Sequence, residues 1–189
     1  MEKIFQDYTN HQLVGVMLYD ELANCMDFLN LHGYKRQFEY YAIEEQIERR
    51  HFSRYFINHY SKILKSANVE KIEITPSQYY NYEREDISSD YKAKYVKESL
   101  SKVREYYVNT INFLNQAIKT LVDNNHIEDM CLFKERLERY NKRLKKLDRE
   151  LIHLEDIGYD INTIETFLQP KKHEKFKKKM KEEYNVEYC

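Results

Sequence analysis

The chain has 189 residues, with only 3 Gly, 2 Pro and a third of its residues charged. That is enough for one substantial core, and the composition suits long solvated helices rather than a sheet-rich fold. A formal net charge of -1 removes any global electrostatic argument for nucleic acid or an anionic membrane, leaving only local patches. Cys25, Cys131 and Cys189 are an odd number with no CxxC pair, which argues against a disulfide framework and a thiolate zinc site. Met1 to Asp7 carries charges without an apolar signal core, and nowhere do 18 apolar residues run together. A cytoplasmic protein without a transmembrane segment is therefore expected. The chain has no Gly-rich phosphate loop and no Ser or Cys nucleophile beside a positioned base, so hydrolase and nucleotide-binding readings lack support.

Read in order, the chain predicts one domain over residues 1–189, an all-α four-helix bundle of two antiparallel hairpins joined by a long crossover. Met1 to Thr9 reads as an irregular lead-in, and the first hairpin covers residues 10–66. Its first helix, capped by Asn10, has an apolar arc of Val14, Met17, Leu18, Leu22, Cys25, Phe28 and Leu29. Glu21 falls about 30° from the centre of that arc. Gly33 breaks the pattern, and a second helix from Tyr34 or Lys35 presents Phe38, Tyr41, Phe52, Tyr55, Phe56 and Ile63. Glu45 lies about 15° from the centre of this arc, Glu48 about 45° and His51 about 105°. At 1.5 Å per residue from the turn, Glu21, Glu45 and Glu48 fall at roughly 19, 17 and 22 Å, so three carboxylates meet at one level of a dry interior. Unpaired, each would cost several kcal/mol, so they must be protonated, paired with cations or ligating a metal. His11 and His59 border the apolar faces near one end of this hairpin and read as hydrogen-bonded edge residues.

Over residues 67–87 the helical period lapses. Pro76 prevents helix continuation, and about 20 extended residues reach some 65 Å, enough to return along the whole bundle. The tyrosines of this stretch, Tyr79, Tyr80, Tyr82 and Tyr91, make a candidate partner surface. The second hairpin, residues 88–157, opens at Ser88 or Ser89 with a stripe of Val96, Leu100, Val103, Tyr107, Ile111, Leu114, Ile118 and Leu121. After a polar turn at Asp123 to His126, a fourth helix carries Phe133, Leu137, Tyr140, Leu144, Leu147, Leu151 and Leu154 and ends at Gly158. Residues 158–189 form a helical extension in which Lys171 to Lys181 holds seven lysines. It reads as a solvated terminal helix, with nucleic-acid contact as the competing use.

Two Glu-x-x-His pairs stand out: Glu48-Arg-Arg-His51 on the second helix and Glu150-Leu-Ile-His153 on the fourth. That spacing sets acid and imidazole on adjacent turns of one face. With Glu21 on the first helix and Glu98 on the third, the pattern resembles the ferritin-like superfamily, especially its bacterioferritin and rubrerythrin di-metal carboxylate bundles, over residues 10–157. The resemblance implies two Fe or Mn ions, bridged by Glu48 and Glu150, bound terminally by His51 and His153, and completed by Glu21 and Glu98, with Glu45 as an additional ligand. It further implies ferroxidase-like redox chemistry; a homo-oligomer, whether a 24-subunit shell or a dimer, and a monomer are all compatible with the bundle pattern. By angle alone, Glu98 and His153 lie about 170° and 150° from their helices' apolar centres. The competing reading pairs the interior carboxylates with cations, Arg104 and Lys97 of the third helix being the candidates. The chain is then a non-catalytic helical interaction protein, an inhibitor or adaptor that docks a protein or nucleoprotein through tyrosine-rich and charged surfaces.

Overall fold

The computed structural model describes residues 1–65, 87–164, 178 and 181. Its long elements are four α-helices: α1 (Glu2–Phe28), α2 (His32–Tyr60), α3 (Ser89–Asp123) and α4 (Ile127–Asp156). Residues 161–164 add one further helical turn, opened by Asp160, whose Oδ2 accepts a hydrogen bond from the Thr163 backbone N–H at 3.0 Å.

Every neighbouring pair of helices is antiparallel. Phe5 packs on Phe56 at 5.1 Å between ring centroids, Tyr8 on Phe52 at 4.6 Å and Tyr19 on Tyr41 at 5.4 Å, which sets α1 against α2. His11 stacks on Tyr106 at 5.0 Å and Tyr8 lies 5.8 Å from Phe113, which sets α1 against α3. Arg104 meets Asp148 and Lys97 meets Glu155, which sets α3 against α4. Tyr140 meets Glu45 and Tyr55 meets Asp129, which sets α2 against α4. It follows that α2 and α3 run in the same direction. The end of α2, where Tyr60 donates to Asp129 in the first turn of α4, and the start of α3 lie at opposite ends of a bundle about 40 Å long. A tight turn cannot join them; the crossover expected over residues 67–87 lies, apart from Ile87, outside the described residues.

The core is unusually aromatic. Phe5, Tyr8, Tyr19, Tyr34, Phe38, Phe52, Phe56 and Phe133 are all essentially inaccessible, and burying each such side chain contributes about 1.5–3 kcal/mol. Four sequence expectations are corrected. α1 begins at Glu2, not Asn10, because Phe5 and Tyr8 pack into the aromatic cluster of Phe52, Phe56 and Phe133. The turn between α1 and α2 is made by Leu29 to Leu31, with Asn30 at φ 57°, while Gly33 sits inside the first turn of α2. α2 ends at Tyr60 rather than beyond Leu64, because Ser61 takes the left-handed conformation at φ 52°. The α1 face turned to the core includes Leu18, Leu22 and Cys25 of the expected arc, with Leu29 just beyond the helix, but extends around the helix through Phe5, Tyr8, Gln12, Gly15, Tyr19 and Met26, while Val14, Met17 and Phe28 are only half-buried.

Gly15 lies on that face because Tyr106 occupies the space of a side chain. A Cβ at Gly15 would fall 2.2 Å from Tyr106 Oη and 2.5 Å from Cζ, and the ring is held between His11 and Tyr19. Gly15→Ala is therefore expected to destabilise the bundle by about 1–3 kcal/mol, as overpacking does. Tyr106→Phe should rescue it only in part, since the Cζ contact persists. Chemical denaturation of the single and double variants measures this.

Candidate functional site

Of the three carboxylates expected in the interior, Glu45 and Glu48 are buried, 1% and 4% exposed, whereas Glu21 is only half-buried; Glu44, which the sequence pattern did not single out, is 2% exposed. The side chains that meet Glu44, Glu45 and Glu48 come from α4. Arg136 and Arg139 both grip Glu48. Arg143 bridges Glu44 Oε2 and Glu45 Oε1, at 2.8 Å to each, while the Tyr140 hydroxyl donates to the same Oε1 of Glu45. Arg136 also lies over the Phe52 ring at 5.6 Å, and Arg143 over Tyr140 at 4.9 Å. Three carboxylates of α2 thus interdigitate with three guanidiniums of α4, and the charges balance.

Low dielectric makes such pairs strong and their members costly alone. Burial pushes the Glu45 carboxyl up, opposed by the Arg143 charge and the Tyr140 hydrogen bond. Burial works against the charge of Arg143, but Glu44 and Glu45 outweigh it and its pKa is raised. The phenols around the ladder are held protonated by burial first, and then by Glu45 in the cases of Tyr8, Tyr106 and Tyr140. Tyr106 and Tyr140 lie 6.4 Å apart, and Tyr107 and Tyr140 5.8 Å apart.

The six residues expected as metal ligands do not come together. Glu48 is buried and clasped by arginine. His51 is exposed on α2, and His153 is exposed on α4. Glu98 is exposed on α3 and lies 3.9 Å from Lys94. Glu21, half-buried, lies on the side of α1 away from Gln12 and acts electrostatically on Tyr95. Glu150, half-buried, acts on Tyr41. Glu45, the additional candidate, is held by Arg143 and Tyr140. Among the described residues no group of three or more His, Cys, Asp or Glu side chains is arranged to hold a metal ion. Arg104 and Lys97 do not neutralise the interior either: both are about half exposed and pair with Asp148 and Glu155 at the rim between α3 and α4. The arginines that do so repeat as Arg136, Arg139 and Arg143 about Tyr140, a spacing that places Arg136 and Arg143 on the α4 stripe itself.

The two histidines read as edge residues have partners. His11 Nε2 lies 2.7 Å from Thr110 Oγ1, and His59 Nε2 lies 2.9 Å from Glu128 Oε2. Of the candidate partner surface, Tyr91 is half-buried against the core, whereas Tyr79, Tyr80 and Tyr82 lie outside the described residues, as do most of the lysines of Lys171 to Lys181.

No protein-family model matches the chain, and no curated protein does. Solved structures do. A ferritin of Archaeoglobus fulgidus engineered into a closed form by site-directed mutagenesis aligns with a TM-score of 0.72 at 14% identity, over 90% of this chain and 94% of that one. The fold is ferritin-like. A humanized archaeal ferritin aligns at 0.70 with 12% identity, over 88% and 91% of the two chains. The open-pore ferritin of the hyperthermophilic archaeon A. fulgidus aligns at 0.68 with 13% identity, over 87% and 95%. At that identity the likeness is one of fold. No helix among the described residues is long and apolar enough to cross a membrane.

A di-metal centre implied by the ferritin-like resemblance does not fit the residues present. Such a centre needs unclaimed carboxylates facing imidazoles, and here the buried carboxylates of α2 face guanidiniums while His51 and His153 face outward; the buried Asp129 of α4 is taken by the Tyr55 and Tyr60 hydroxyls at the end of the bundle. Two divalent ions placed among Arg136, Arg139 and Arg143 would meet three fixed positive charges at close range.

Proposed function

We propose that this chain is a non-catalytic ferritin-like bundle, a binding and assembly module whose interior is closed by ion pairs instead of a redox metal pair. The reading rests on one observation above the rest: each buried carboxylate of α2 is taken by an arginine of α4. With the interior neutralised, the surface carries the function. The outward face of α4 presents Lys142, Lys145, Lys146 and Arg149, all exposed, at a spacing that lines them along one side of the helix. That favours an acidic protein partner, reached through electrostatic steering. Self-association belongs to the same proposal and is read by sedimentation velocity.

The test is metal loading. Protein purified from metal-replete medium and then incubated with Fe(II) or Mn(II) is expected to retain less than one ion per chain by elemental analysis. It is expected to oxidise Fe(II) no faster than buffer, with Glu48→Ala indistinguishable in both assays. Stoichiometric iron or manganese that disappears in Glu48→Ala would restore the di-metal reading.

A further inference from the structure

The aromatic core is sorted along the bundle. Phe5, Phe52, Phe56 and Phe133 pack on one another toward the end where α2 finishes, and tyrosines fill the level of the ladder. There the rings make an unbroken series. Tyr40 lies 5.7 Å from Tyr41 between centroids, Tyr41 5.4 Å from Tyr19, Tyr19 5.8 Å from Tyr106, and Tyr106 6.4 Å from Tyr140. Each separation is that of aromatic rings in contact. The series draws on all four long helices, from the half-buried Tyr40 and Tyr41 to Tyr140, which is 2% exposed. It ends on a base, since the Tyr140 hydroxyl donates to Glu45 Oε1.

Packing alone does not call for the hydroxyls. Phenylalanine fills nearly the same volume, as it does at the other end of the core, and has no polar group to desolvate. What separates phenol from phenyl is that a phenol gives up an electron readily once a base takes its proton. The chain contains no Trp, so tyrosine is the aromatic side chain able to pass an oxidising equivalent. Tyr140 has the geometry of an end point, because its proton has a carboxylate to go to. Arg143 bridges Glu44 and Glu45 at 2.8 Å to each, so it keeps Glu44 as counter-charge when Glu45 is neutralised.

We infer that Tyr40, Tyr41, Tyr19, Tyr106 and Tyr140 form a path that carries one-electron oxidising equivalents from the bundle surface to the Tyr140 and Glu45 pair, where small inorganic radicals are quenched. This activity goes beyond the assembly role and needs no metal. An inorganic radical such as azide takes one electron at Tyr40 or Tyr41 and leaves as the azide anion. The intervening rings each pass one electron outward and keep their protons, until Tyr140 is the oxidised ring. The Tyr140 O–H bond then breaks, its proton bonds to Glu45 Oε1, and a neutral phenoxyl radical remains beside a neutral carboxylic acid. Neither product carries a charge, as a dry interior favours. A one-electron reductant of the ascorbate class returns the electron, and Glu45 returns the proton.

Azide radicals generated by pulse radiolysis in neutral buffer test this. The wild-type protein is expected to form phenoxyl absorbance that settles into a long-lived component, because a buried radical cannot couple to a second chain as dityrosine. Tyr140→Phe is expected to lose that component, and Glu45→Gln to shorten its lifetime. Tyr41→Phe leaves Tyr140 and Glu45 in place and is expected to lose the component too, with dityrosine fluorescence rising instead. Circular dichroism checks the fold of each variant, and the half-buried Tyr41 position carries the test if Tyr140→Phe does not fold. Absence of a long-lived radical in the wild type overturns the proposal. So does its survival in Tyr140→Phe or Tyr41→Phe, or an unchanged lifetime in Glu45→Gln.

Discussion

Arg143→Ala is expected to cost about 3–5 kcal/mol of unfolding free energy, the largest effect of any single substitution considered for this chain. Arg143 is the counter-charge for both Glu44 and Glu45, at 2.8 Å to each, and those carboxylates are 2% and 1% exposed. Deleting the guanidinium removes the counter-charge that the two buried carboxylates share, while the Tyr140 hydroxyl still donates to Glu45. The nearby surface pair supplies the control. Arg104 and Asp148 approach just as closely, at 2.8 Å, but are 48% and 40% exposed, and such pairs contribute about 0–1 kcal/mol. Urea denaturation should therefore separate Arg143→Ala from Arg104→Ala by several kcal/mol, with a Tm fall of about 6–20 °C for the former. Equal stability of the two variants would show that water reaches the ladder and that the carboxylates were never dependent on α4.

The second large effect is a dependence on pH. Burial lowers the His11 pKa from 6.5 to about 4, and the ring is fixed by Thr110 Oγ1 and stacked on Tyr106 and Phe113. Above pH 7 the imidazole is neutral in both folded and unfolded chains and contributes no slope. As pH falls from 6.5 toward 4 the unfolded chain takes up a proton that the folded chain refuses, so stability drops across that window by about 3 kcal/mol. Below about pH 4 both states are protonated and the contribution levels off. His11→Gln keeps a hydrogen-bonding group near Thr110 and removes the titration. The loss of stability between pH 7 and pH 4.5 should be about 2–3 kcal/mol smaller in the variant than in the wild type, measured by denaturation at both values. Parallel pH profiles for the two proteins would refute a buried neutral His11.

The sequence made the bundle legible because aliphatic residues recur at helical spacing through α3 and α4, and Leu100, Val103, Leu114, Phe133 and Leu147 are indeed buried. It also made Glu45 and Glu48 legible as interior groups, since Phe38, Phe52 and Phe56 surround them on one helical arc. The partner of those carboxylates was misread for a physical reason. Arg136 and Arg143 lie on the same stripe as Tyr140, yet a long cationic side chain on an apolar stripe is ordinarily assumed to extend its charge to water. α1 was misread for a related reason. Leu18, Leu22, Cys25 and Leu29 of the aliphatic arc are buried, but the rest of the core face is built from Tyr8, Gln12, Gly15 and Tyr19, which carry little aliphatic signal, whereas Val14, Met17 and Phe28 are only half-buried. Glu21 was drawn into the interior by those aliphatics, and the Glu-x-x-His pairs supplied ligand types without the facing geometry a metal needs.

The ladder has a consequence for assembly. Glu48 and Arg139 are 91 residues apart in the chain, and Glu45 and Arg143 are 98 apart, so no ladder contact forms within either hairpin. A hairpin of α1 and α2 alone presents an acidic inner face, and one of α3 and α4 alone presents a basic inner face. Each half thus repels a second copy of itself and attracts the other, which directs two separately produced fragments toward the mixed complex instead of mismatched pairs.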